Sequence, residues 1–184
     1  AEVRVTYKSS RPLGIETLSD YRYIPVGVHY SILELPATPM RPRHADDRVG
    51  YFISAMKNFS RDTAETFFVR YANRWRLEKK DPAAAVSEPV TPITFYLDRT
   101  IPHEWRPYVR EGILEWNRAF EEAGFKNAIQ VLDAPDDTLW SAEDARYSTV
   151  RWLATHGYTY AIGPSDVDPR TGEILNADIL IAAS

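Results

Sequence analysis

A chain of 184 residues, 44% apolar and 12% aromatic, can bury roughly 70% of its unfolded surface, and a net charge of −4 is too small to keep such a chain disordered. The absence of cysteine excludes disulfides, thiolate metal sites and a thiol nucleophile. Residues 1–90 hold 14 Lys and Arg against 11 Asp and Glu, and residues 91–184 hold 8 against 15; neither half has the basic excess of a nucleic-acid binder, and no run approaches the roughly 20 apolar residues of a membrane span.

The first residue is Ala1 and no signal peptide precedes it, so a processed or excised chain is expected and export is left open. Residues 1–80 read as a mainly β unit. Alternation begins at 3–7 and returns at 23–32, where Val26, Val28, Tyr30 and Ile32 share one face, with Pro25 and Gly27 pointing to an edge or bulge. The clearest strand is predicted at 66–77. Phe67, Val69, Tyr71, Asn73, Trp75 and Leu77 face one way there, and Arg70, Arg74 and Arg76 the other. Those arginines suit a solvated sheet face with packed stems, or a phosphate or carboxylate site. The prolines and alanines between 79 and 92 mark a linker, placed at 81–91.

Residues 92–184 read as a mixed sheet backed by one long helix, which makes the chain α+β. A strand at 93–97 is followed by a helix at 107–123, with Pro107 suited to its first position. Val109, Ile113, Trp116, Phe120 and Ala123 form its apolar stripe and Gly124 its C-terminal stop. Strands follow at 128–132 and 148–153, separated by an acidic loop. A hairpin comes last, with arms at 158–163 and 174–181 around the turn residues Asp168 to Glu173.

This order of strand, long helix, strand, strand and antiparallel edge hairpin resembles the upper subdomain of metzincin peptidases. The helix stretch from Glu111 to Phe120 resembles the helix that backs their active-site cleft. Ala161-Ile162-Gly163-Pro164-Ser165 resembles the segment after their substrate-lining edge strand, and Ala177-Asp178-Ile179-Leu180-Ile181 the strand before their catalytic helix. Trp75-Arg76-Leu77-Glu78-Lys79-Lys80-Asp81-Pro82, Ala145-Arg146-Tyr147-Ser148 and the stretch from Gly163 to Ile174 are similar to recurring stretches of a bacterial family of zinc-dependent metallopeptidases with a matrixin-like catalytic domain. Residues 1–80 resemble the end of the uncharacterised domain that precedes that peptidase.

The resemblance implies a peptidase fragment whose parent protein binds zinc, acts on peptides or proteins, and lies in the periplasm, on the outer surface or in the medium. The H-E-x-x-H helix of such enzymes holds two imidazoles on one face with the Glu as general base. No such motif occurs here, and Ser184 is expected to lie just before it, so the chain itself is expected to hold no cofactor and to be inactive. His29, His44, His103 and His156 form no i, i+4 pair, and each is read as a surface or structural residue. The resemblance places extended substrate along Tyr160, Ala161, Ile162 and Gly163, by strand addition; a plain hairpin arm is the other reading. A non-enzymatic module that binds peptide on this edge is the rival function, and a hydrolase using scattered carboxylates is a third.

Smaller candidates remain. Asp166, Asp168 and Glu173 surround a turn and suit either calcium or an ordinary polar turn. Asp46-Asp47 and Asp136-Asp137 read as solvated loop carboxylates. Trp105, Trp116, Trp140 and Trp152 suit core packing better than a carbohydrate platform. Nothing in the sequence fixes the oligomeric state.

Overall fold

The computed structural model describes residues 2–11, 20, 22–60, 66–155 and 157–183. Glu2–Lys8 (β1) and Tyr23–His29 (β2) pair antiparallel, with Val3 opposite Val28, Val5 opposite Val26 and Tyr7 opposite Ile24, so alternation gathers the apolar side chains on one face. The second strand ends at His29, short of the expected Ile32. Ile53–Lys57 (β3) and Phe68–Ala72 (β4) make a second ribbon, with Met56 opposite Val69.

The strand expected over 66–77 stops at Ala72 because the backbone changes partners. The Asn73 N–H still bonds Phe52, but Arg74 donates its N–H to the Gly172 carbonyl, and its own carbonyl accepts from the Ile174 N–H. Regular pairing with β3 therefore gives way to pairing with the last hairpin, about one hundred residues away. The arginine face is not solvated throughout. Arg76 donates to the Glu173 carboxylate at 2.5 Å and to the Thr38 carbonyl, Arg74 donates to the Arg41 carbonyl, and Arg70 lies over the Phe68 ring.

Residues 81–91 are pinned at both ends. Lys80 donates its N–H to Glu88, Val90 donates to Glu78, and Ser87 exchanges backbone bonds with Gly124 and Lys126.

The second half is built on Ile93–Leu97 (β5). It continues through helices Arg106–Leu114 (α1) and Trp116–Glu122 (α2), then Ile129–Asp133 (β6), Ser148–Ala154 (β7), Tyr160–Ile162 (β8), Ser165–Asp168 (β9), Glu173–Ala177 (β10) and Ile179–Ala183 (β11). Five strands form one sheet in the order β6-β5-β7-β11-β8. All neighbours are parallel except β8, which runs antiparallel to β11 at one edge. This is the mixed sheet and α+β class expected.

The register sorts side chains between two faces. Ile93, Phe95, Leu97, Ile129, Val131 and Val150 share one face and, with Ile101, form the buried core. Val109, Ile113 and Phe120 of the helices pack on it, joined by Trp75 and Leu77, and Trp75 meets Phe95 edge-on at 6.3 Å.

The helix is one run with a hitch at Glu115, and Pro107 falls at its second position rather than its first. Its apolar stripe differs from expectation, because Trp116 is 63% exposed and Ala123 is exposed as well. The cause lies on the flank of the stripe. Arg110 bonds the Val131 carbonyl, and Asn117 bonds both the carbonyl and the N–H of Ile129. These side chains tie the helix to the β6 backbone and turn Trp116 outward. Gly124 ends the helix as expected, at φ 87°: its N–H bonds Glu121 and the Phe125 N–H bonds Phe120, the two bonds of a Schellman stop.

The expected hairpin splits between two sheets. Its outer part, β8 with β11, joins the large sheet, and its inner part, β9 with β10, forms a separate ribbon. Gly163 and Pro164 interrupt one arm, yet the register of Ala177 with Ser165 carries through to Leu180 with Ile162. A bulge at Leu175 separates this register from that of the turn.

Candidate functional site: the open edge of the sheet

Among the described residues β8 has a strand partner on one side only, and Tyr160, Ala161, Ile162 and Gly163 are all exposed. Which backbone groups face outward follows from two bonds. The Asp178 N–H bonds the Pro164 carbonyl, and the Ala177 N–H turns away to Ser148 Oγ. In an antiparallel ladder hydrogen-bonded and non-bonded pairs alternate. Ile162 with Leu180 and Tyr160 with Ala182 are therefore the bonded pairs. Ala161 and Gly163 point their N–H and C=O groups away from β11, toward the open edge.

Side chains divide the opposite way. Tyr160 and Ile162 lie on the sheet face away from the helices, in register with Ala182 and Leu180, while Ala161 is on the helix face beside Ile181. Gly163 has no conformational need to be glycine, since a Cβ there meets only the Asp178 carbonyl oxygen, at 3.8 Å. The four residues named from the resemblance thus lie together on the edge, where Ala161 and Gly163 turn their backbone groups outward and Tyr160 and Ile162 expose their side chains.

Asp178 anchors the strand behind this edge. Its carboxylate accepts both the N–H and the hydroxyl of Thr149, a residue with no exposed surface. Asn176 donates to the carbonyls of Ala145 and Tyr147, and so fixes the loop that leads into β7. On the same face Tyr96, Trp140 and Tyr147 form an aromatic cluster with ring centroids 5.3 to 6.3 Å apart.

The other candidates have structural partners. The Asp168 carboxylate, with no exposed side-chain surface, accepts from the backbone N–H and guanidinium of Arg170, whose hydrogen bonds hold it below the ordinary value of 3.8. Glu173 is taken by Arg76, so two of the three carboxylates considered for calcium are engaged by guanidinium groups. Asp46 is paired with Arg48 and Asp136 with Arg99, both on the surface.

Of the histidines, His29 lies beside Ser31, His44 packs against Tyr71 with ring centroids 5.3 Å apart, and His103 is exposed; His156 lies outside the described residues. Among the described residues no three His, Asp or Glu side chains gather in a way that could hold a metal ion. No helix among them is long and apolar enough to cross a membrane. Trp152 packs against the core and stacks on Trp105 at 6.4 Å, whereas Trp116 stands apart and exposed.

Comparison with known proteins gives one match. Residues 1–80 fit the family model described as a domain of unknown function, DUF5117. No curated protein and no solved structure matches the chain.

Proposed function

We propose that residues 92–184 are the substrate-binding part of a zinc-dependent metallopeptidase catalytic domain, in which extended peptide is added to the sheet along β8. The observation that carries this reading is the open antiparallel edge, where Ala161 and Gly163 offer unpaired backbone groups. The element order adds support, since strand, helix, strand, strand and antiparallel edge is the succession that the metzincin resemblance implies. The helix-side face adds more. α1 packs on β6, while Trp152, Ile179 and Ile181 on the other half are only partly buried, which suits a further element above them.

The described histidines do not fit a zinc site, because each sits apart with its own surroundings. In this reading zinc chemistry belongs to the parent protein. The 184-residue chain binds peptide without cleaving it.

The test is strand addition itself. Ala161→Pro removes an outward N–H without touching the bonds to β11, so it abolishes binding of an extended peptide and leaves the circular dichroism spectrum unchanged. Retained binding in that variant would refute the edge site. The rival is a peptide-binding module that uses the same edge with no catalysis. Chelator-sensitive peptide hydrolysis by the full-length parent protein separates the two.

A further inference from the structure

We infer that the open edge selects an extended peptide with apolar side chains two residues apart, flanked by a cationic residue. This rests on the edge-strand reading and adds its specificity. Tyr160 and Ile162 project on one face of the edge and are 43% and 51% exposed. A strand docked on Ala161 and Gly163 would place every second side chain beside them, where apolar groups leave water on both partners. On the opposite face the edge offers only Ala161 and Gly163, which give a docked side chain little to pack on.

Beyond Gly163 the chain enters the β9–β10 ribbon, and a cavity of about 350 Å³ lies against that ribbon, lined by Asp166, Asn176, Asp178, Glu143 and His29 among others and by no residue of β8. Glu143 is paired with Arg151, and Asp178 is taken by Thr149. Asp166 is exposed, and its carboxylate has no partner among the described residues. It lies four residues beyond Ile162, across the break at Gly163 and Pro164, so at most about 14 Å of chain separates them, which is within reach of a Lys or Arg carried one or two places beyond the apolar pair.

The experiment measures binding of labelled peptides to the full chain by fluorescence anisotropy. The probe is Lys-Gly-Val-Thr-Val-Thr-Gly-Lys, compared with versions carrying Ser for both Val, Glu for both Lys, or N-methyl groups on alternate residues. The inference expects the Ser version to bind about tenfold more weakly, and the Glu version about threefold more weakly. Asp166→Lys should reverse the preference, binding the Glu peptide better than the Lys peptide, which a merely structural aspartate would not do. Equal binding of the Val, Ser, Lys and Glu peptides, with loss only on N-methylation, would overturn the specificity and leave the edge site standing. No binding of any peptide would overturn both.

Discussion

Arg76 and Glu173, ninety-seven residues apart, meet at 2.5 Å in the ion pair that joins the stretch after β4 to the start of β10. Glu173 is 9% exposed and Arg76 30%, and one Arg76 nitrogen also holds the Thr38 carbonyl. Arg76→Ala would leave a buried carboxylate without its partner. The expected loss is about 2 to 3 kcal/mol of unfolding free energy, read from urea denaturation. Replacing both residues, as Arg76→Met with Glu173→Leu, should recover much of that loss, and a double-mutant cycle measures the coupling.

The turn behind this pair depends on glycine. Gly172 has φ 75°, and a Cβ there would lie 2.7 Å from the Ala72 carbonyl oxygen. Gly172→Ala is expected to cost at least about 2 kcal/mol. Gly163→Ala, with only one contact at 3.8 Å, should be within about 0.5 kcal/mol of the parent. Thermal denaturation of the two variants side by side checks the contrast.

Acid should weaken the same turn. The Arg170 hydrogen bonds depress the Asp168 carboxyl below its ordinary value of 3.8 in the folded state. A depressed folded value means the contribution is fully present above about pH 4 and is lost as pH falls through the folded value. Melting temperature followed from pH 6 to pH 2 should therefore fall more steeply for the parent than for Asp168→Asn, and the two curves should converge at the acid end.

Hydrogen exchange checks the register of the edge. The Tyr160 and Ile162 amides bond β11 and should be protected, while those of Ala161 and Gly163 face outward and should exchange faster. Protection of Ala161 with rapid exchange of Ile162 would mean the strand is shifted by one residue, which would turn every side chain to the other face.

The helix offers a packing test. Ile113 packs on the core and Trp116 is 63% exposed. Ile113→Ala should cost about 2 kcal/mol, and Trp116→Gln no more than about 0.5 kcal/mol, by chemical denaturation. A large loss for Trp116→Gln would place it in the stripe that the sequence pattern suggests.

Local patterns made much of this legible in the sequence. Alternation gave Ile93–Leu97 to the residue, because a strand buried on one face must alternate. Gly124 marked the helix stop, since only a left-handed residue completes that pair of bonds. The α+β class and the helix between two strands were also within reach of the sequence alone. Tertiary structure decided what depends on distant partners. The strand that should have run past Ala72 was diverted by Gly172 and Ile174. Trp116 was turned out by the grip of Arg110 and Asn117 on β6, and the hairpin was divided between two sheets by the break at Gly163 and Pro164. Periodicity says which residues share a face, but hydrogen-bond register across the chain fixes which face is covered, which backbone groups stay open, and which charges find partners.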